Sequence, residues 1–127
     1  VQSVKFIMTN VLIVEDDKWL AEHFSRVLNS SGYKSKMVLN AIDAMNEIDH
    51  SCPDVIILDV LLTGSTAFAL LGELQSYCDT GQIPIILCTN LAADFKLADL
   101  KNYGVKRIID KSKMVPEDLV AAIRSVI

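Results

Sequence analysis

The sequence has no apolar run approaching the roughly 20 residues that a membrane-spanning helix requires. Stretches such as AFALL at 67–71 fall far short, so a soluble protein without membrane contact is expected. The opening VQSVKFIMTN lacks the apolar core and cleavage pattern of a secretory signal, and its first residue is not Met. Met8 is a candidate natural start, with residues 1–7 an upstream segment or expression remnant and residues 1–9 an extension running into the first strand. Cysteine is scarce: Cys52, Cys78 and Cys88 are an odd number with neither C-x-x-C spacing nor a zinc pattern. That suits a reducing cytoplasm and predicts buried or half-buried thiols. Excess positive charge is lacking too. A net charge of −4 gives no general attraction to nucleic acid or to an anionic membrane, so any DNA binding would have to come from elsewhere. Repeats, low-complexity tracts and linkers are absent.

What is present is a chain of 127 residues, 51% apolar, enough for one domain with a single substantial core. Short runs rich in Val and Ile alternate with segments of helical period. VLIVEDD reads as a strand, and from Asp17 the spacing of Leu20, Phe24, Val27 and Leu28 is that of an amphipathic helix, stopped at NSSG by a left-handed Gly32. YKSKMVL alternates like a half-exposed strand, and Asn40 caps a helix burying Ile42, Met45 and Ile48. DVIILD is the third strand. Ser65 or Thr66 opens the next helix, with Phe68, Leu71 and Leu74 inward and Leu70 at the margin. IPIILCT is a fourth strand with Pro84 near its beginning, 92–103 a helix ended by Gly104, and VKRIID a fifth strand. Pro116, Glu117 and Asp118 suit the first turn of a last helix with the stripe Leu119, Ile123 and Val126. Strict alternation of strands and helices predicts an α/β, flavodoxin-like fold: a five-stranded parallel sheet with helices on both faces.

One run poses a problem. VIILDVLLTG ends a buried strand in Asp59, and a carboxylate there is expensive unless something pairs with it. Ligands of an open parallel sheet bind beyond the carboxyl ends of its strands. Strand one delivers Glu15, Asp16 and Asp17 to that edge, strand three Asp59, strand four Thr89, and strand five Asp110 and Lys111; strand two ends in Leu39 and delivers nothing. Grouped carboxylates repel unless a cation joins them. An oxygen-only site with few protein ligands suits Mg²⁺, which keeps several of its waters, and Lys111 balances the remaining charge.

VLIVEDD, PDVIILDVLLTG, IPIILCT and RIIDK, in this order, resemble a response-regulator receiver domain of two-component signalling, of the chemotaxis-regulator-like kind, over residues 10–127. Acid pair, aspartate, threonine and lysine, each closing its own strand, make a specific set. The resemblance implies the strand order 2-1-3-4-5 and Asp59 as phosphoacceptor. It implies Mg²⁺, replaceable by Mn²⁺, on Asp16, Asp59 and the backbone carbonyl of Leu61, with Glu15 helping through water. It places Thr89 and Lys111 on the phosphoryl oxygens. A histidine kinase or histidine phosphotransfer protein is the implied donor, and an unnamed output protein the partner of the fourth helix, fifth strand and fifth helix. No direct nucleic-acid contact is implied. Such a domain is not an enzyme in the ordinary sense, since it only accepts a phosphoryl group and slowly loses it. The chemistry agrees, because phosphoryl transfer needs an in-line nucleophile and cations to absorb charge.

The chain departs from the family at several positions. Thr63 and Ala67 replace a proline and a glycine after the active-site strand, and Asn90 replaces a small residue after the threonine. Leu61 and Leu91, two positions beyond Asp59 and Thr89, flank the path of attacking water in receivers and offer it no hydrogen bond, which predicts a long-lived phosphoryl state. Ile108 stands where the family carries an aromatic switch residue, and Ser112 where proline usually follows the lysine. Lys106 and Arg107 replace the acidic residues that pair receivers of winged-helix regulators, so that dimer is not expected.

Plainer readings exist for each residue alone. Asp17 is a helix cap, Trp19 packing, Lys106, Arg107 and Lys113 a solvated face, and His23 and His50 structural. The chain ends at the fifth helix, which favours a stand-alone regulator over the receiver piece of a longer transcriptional regulator. An Mg²⁺-dependent phosphohydrolase is the alternative from another class, but its second acid would fall on Leu61. A flavodoxin would need a phosphate-cradling first loop, and EDDK repels phosphate.

Overall fold

The structure is a computed structural model that describes residues 8–60, 67–77 and 79–127; Leu61, Thr63, Ser65, Thr66 and Cys78 lie outside the described residues. The elements are β1 (Asn10–Val14), α1 (Lys18–Ser30), β2 (Lys34–Val38), α2 (Ala41–His50), β3 (Val55–Leu58), α3 (Ala67–Gln75), β4 (Ile85–Thr89), α4 (Leu97–Leu100), β5 (Val105–Asp110) and α5 (Pro116–Val126). The strands form one five-stranded sheet in the order β2-β1-β3-β4-β5 with every pairing parallel. One core layer joins α2 and α3 to the sheet through Ala44, Ile48, Leu71, Leu74, Leu58 and Leu87. The other joins α1 and α5 through Phe24, Leu28, Leu119, Ile123, Ile13 and Ile57. All four residues of β3 are buried, as a strand covered on both faces must be, whereas β2 at the edge alternates exposed and half-buried positions.

The local signals for element ends hold. Asp17 accepts from the Leu20 amide at 3.2 Å and Asn40 from the Asp43 amide at 2.8 Å, so both are helix caps. Gly32 and Gly104 have φ of +92° and +82°. Several inward faces differ from expectation. Ile42 is 72% exposed, because α2 turns Ala41, Ala44 and Ile48 inward, while Met45 packs only partly against the core. Leu70 is buried and Phe68 only half-buried, reversing their expected roles. Trp19 is 82% exposed rather than packed, and Cys52 is exposed, leaving Cys88 as a buried thiol.

The largest departure is the expected helix at 92–103. It is a 3-10 turn (Ala92–Asp94), then the single turn of α4, then another 3-10 turn (Lys101–Tyr103). Phe95 and Lys96 between them are extended, with φ/ψ of −124°/144° and −108°/132°. Lys96 offers no side-chain cap, and Phe95 leaves the helical path to stack on Phe68 with ring centroids 5.7 Å apart. Tertiary packing overrides the helical period here.

Two glycines separate backbone freedom from helix propensity. Gly104 is left-handed, and a Cβ there would stand 3.1 Å from Gln75 Nε2, whereas Gly72 lies inside α3 with nothing within 4 Å of an added Cβ. Gly104→Ala is expected to cost about 1–2 kcal/mol and Gly72→Ala to gain about 0.5–1 kcal/mol in urea unfolding. Shifts of the same sign would contradict this assignment.

Candidate functional site

The sheet brings the predicted residues to one edge. Val14 of β1 pairs with Leu58 of β3, and the next amides continue the ladder: Asp59 N donates to Val14 O at 3.2 Å and Glu15 N to Val38 O at 3.1 Å. Glu15 and Asp59 therefore stand side by side at the ends of the two central strands. On the other side Thr89 pairs with Asp110, and Lys111 N donates to Thr89 O at 3.0 Å. From there the Lys111 ammonium reaches back across the edge, donating to Asp59 Oδ2 at 2.7 Å and forming an ion pair with Glu15 Oε1. All three side chains are nearly buried.

Asp16 is exposed at the rim, and one carboxylate oxygen from each of Glu15, Asp16 and Asp59 lies within 4.8 Å of the others. Such a set of hard oxygens fits a small divalent cation that keeps part of its water shell. The second Glu15 oxygen accepts from the Asp17 amide at 3.1 Å, so Asp17 serves the backbone as the helix cap. Sequence reasoning gave Glu15 a part through water. In this structure it is a direct partner of Lys111, a pairing that spacing cannot reveal because 96 residues of chain position separate two adjacent side chains. The Leu61 carbonyl lies outside the described residues.

Charge is unbalanced in this cluster. Burial pushes the Glu15 carboxyl above its ordinary range and Asp59 adds to the push, against the opposing Lys111 and Asp17 hydrogen bonds. Burial would lower the Lys111 ammonium, but its hydrogen bonds to Asp59 and Glu15 outweigh that and hold it above its usual value. Among the described residues one ammonium faces three neighbouring carboxylates, an arrangement that favours added positive charge. Nearby, burial pushes the Cys88 thiol up to about 12, so it is inert.

Thr89 is fully buried, and its Oγ1 accepts from the Leu91 amide at 3.1 Å. Leu91 is half-buried. Ile108 packs partly buried against the core layer that contains Leu58 and Leu87. Lys106, Arg107, Lys113, His23 and His50 are exposed, and among the described residues the ion pairs of this edge are those of Lys111 with Glu15 and Asp59. Ser112, which stands where the family carries a proline, binds Asp110: its amide and hydroxyl both donate to Asp110 Oδ1, at 3.0 and 2.6 Å. The D-x-S spacing is a turn signal that the strand reading had overlooked.

Removing the ammonium should expose the imbalance. Without divalent cations, Lys111→Met is expected to lose about 3 kcal/mol at pH 7.5. Glu15 has a raised folded pKa, so its charged form opposes folding above that pKa and the penalty vanishes below the ordinary value of 4.5. The deficit against wild type should therefore shrink as pH falls from 7.5 towards 4.5 in urea titrations. A deficit independent of pH would sink the electrostatic account.

The response regulator receiver domain family matches residues 11–124. The sensory transduction protein RegX3 of Mycobacterium bovis is 28% identical over 94% of this chain and 51% of its own length. The phosphate regulon transcriptional regulatory protein PhoB of Escherichia coli is 27% identical over 91% of this chain and 50% of its own. The chain thus spans about half the length of the curated relatives it matches. Among solved structures, the chemotaxis response regulator CheY4 of Vibrio cholerae superposes with a TM-score of 0.86 at 24% identity, covering 95% of this chain and all (100%) of that one, a likeness of fold. The signal receiver domain of a signal transduction histidine kinase from Syntrophus aciditrophicus is 30% identical with a TM-score of 0.78, over 93% of this chain and 89% of that one. With strand order, strand-end residues and family match in agreement, the chain belongs to the response regulator receiver domains of two-component signalling.

Proposed function

We propose that this domain accepts a phosphoryl group on Asp59 from a phosphohistidine of a histidine kinase or phosphotransfer protein, and that the modification alters its contacts with an output protein. The observation that carries this reading is the Lys111 ammonium, 2.7 Å from Asp59 Oδ2, beside a carboxylate cluster short of positive charge. An Asp59 carboxylate oxygen attacks phosphorus, a P–O bond forms as the P–N bond breaks, and the electron pair leaves on the imidazole nitrogen, which water then protonates. Lys111 moves from its carboxylate partners to a phosphoryl oxygen, and the Thr89 hydroxyl donates to another. Asp16 and Asp59, with the Leu61 carbonyl, would hold Mg²⁺ or Mn²⁺, and Glu15 would assist through water. The ion supplies the charge that Lys111 alone lacks. The fourth-helix region, β5 and α5 form the output face, and cytoplasmic location and absence of direct nucleic-acid contact belong to the same reading. No described helix is long and apolar enough to cross a membrane.

A second reading concerns context. The chain covers about half of RegX3 and of PhoB, the latter named as a transcriptional regulator, which favours a receiver half within a longer regulator. The order of helices, strands and site residues serves that context and a stand-alone regulator alike.

Two measurements test the chemistry. Intact mass after incubation with acetyl phosphate and Mg²⁺, and in parallel with a phosphohistidine protein, should rise by one phosphoryl group in the wild type. The gain should vanish with EDTA and in Asp59→Asn; a full gain in the variant would move the acceptor elsewhere. The lifetime of the phosphoryl state addresses Leu61 and Leu91, which offer attacking water no hydrogen bond. Replacing both with Asn or Gln is expected to shorten that lifetime roughly tenfold, the worth of about one hydrogen bond to the attacking water. An unchanged lifetime would remove these two side chains from the control of hydrolysis.

A further inference from the structure

The turn that follows Lys111 is fastened on both sides of the residue without touching its side chain. Asp110 Oδ1 accepts from the Ser112 amide at 3.0 Å and from the Ser112 hydroxyl at 2.6 Å. The Asp110 carbonyl accepts from the Lys113 amide at 3.1 Å and the Met114 amide at 3.0 Å. Lys111 N is tied to Thr89 O at 3.0 Å. At the far end of the turn Met114 Sδ lies 3.5 Å from Sγ of Cys88, the neighbour of Thr89. The peptide bonds of this turn are trans. No proline stiffens the turn, so these hydrogen bonds are what fix the backbone that carries Lys111.

We propose that Asp110 and Ser112 are positioning residues for phosphoryl transfer: their side-chain hydrogen bonds hold the Lys111 backbone so that its ammonium meets the oxygens at Asp59. The inference rests on the proposed acceptor role of Asp59. A lysine stem gives up rotamer entropy on each pairing, and a Cα held in one place narrows the set of stem rotamers to those that bring the ammonium to Asp59. Transfer of a phosphoryl group is sensitive to such placement, and a displacement of about 1 Å costs on the order of 100-fold in rate. Asp110 lies at the end of β5, paired with Thr89, so the same turn sets the two groups that receive phosphoryl oxygens at a fixed separation. The Asp110 carboxyl is held below its ordinary range by the Ser112 hydrogen bonds, so it accepts from Ser112 as a carboxylate across the neutral range.

The test compares Asp110→Ala, Asp110→Asn and Ser112→Ala with wild type in the rate of phosphoryl gain from acetyl phosphate and from a phosphohistidine protein. Mg²⁺ affinity by calorimetry and the urea midpoint are measured in parallel. Asn keeps an oxygen able to accept both Ser112 hydrogen bonds, whereas Ala does not. Asp110→Ala is expected to slow the gain roughly tenfold, Ser112→Ala by a smaller factor, and Asp110→Asn to restore it to within about twofold, with Mg²⁺ affinity unchanged in all three. Ser112 is exposed, so its variant tests the bond even where Asp110→Ala folds poorly. Three outcomes overturn the proposal: Ala variants as fast as wild type, an Asn variant as slow as Ala, or Mg²⁺ affinity falling together with rate. A wild type that gains no phosphoryl group from either donor would instead overturn the acceptor role of Asp59, and this proposal with it.

Discussion

The bond on which this edge of the molecule depends is the one that Lys111 makes across the ends of the strands. An aspartate at the close of a fully buried strand and a glutamate at the close of its neighbour would repel each other and lose their water. A single ammonium from the far side of the sheet makes both tolerable. It reaches them because the strand order sets β5 two places from β3, with β4 between. A long, flexible lysine can span that gap where an aspartate or serine could not.

The same arrangement explains why the site is not simply a salt bridge. Three carboxylates against one ammonium among the described residues favour a further cation, and the burial that raises Glu15 also makes any arriving cation more effective than it would be in water. Structure and function therefore pull in opposite directions at this edge. The surplus charge works against stability in the free domain, and it is the surplus charge that gives the edge an affinity for cations. The inert sheet below, with every residue of β3 and β4 buried, carries the stability that such an edge requires.

Much of this was legible in the sequence, for reasons that can be named. The strands followed from short branched runs alternating with helical periods, and the site from what closed each run, whereas the order of the strands in the sheet came only with the family resemblance. Asn40, Asp17, Gly32 and Gly104 were readable because capping and left-handed turns need particular side chains or none. What failed did so for separate reasons. Ile42 and Trp19 are apolar but sit on the outer side of short helices, where a hydrophobicity count cannot tell a core contact from an exposed one. The pairing of Glu15 with Lys111 and the stacking of Phe95 on Phe68 depend on chain segments far apart in sequence. The hydrogen bonds of Ser112 to Asp110 were local, yet hidden behind its reading as an absent proline.

The fourth helix shows where such a frame is soft. One turn of α4 lies far below the length at which a helix is stable by itself, so its geometry is borrowed from neighbours. Phe95 packs on Phe68 at the start of α3, Tyr103 lies edge-on to the same ring at 6.5 Å, and Gln75 from the end of α3 donates to the Tyr103 carbonyl at 3.1 Å. The segment is thus held to α3 at both ends, while its first residues follow directly from Thr89. With Ile108 in place of an aromatic ring on β5, the aromatic contacts on this side of the sheet run between α3 and the fourth-helix segment instead. A segment of low intrinsic stability, fixed by a few aromatic contacts and joined to a buried threonine, is the kind of element whose balance a small change at the strand ends can shift. The buried strands place the charge, and the single turn of α4 has little intrinsic stability of its own.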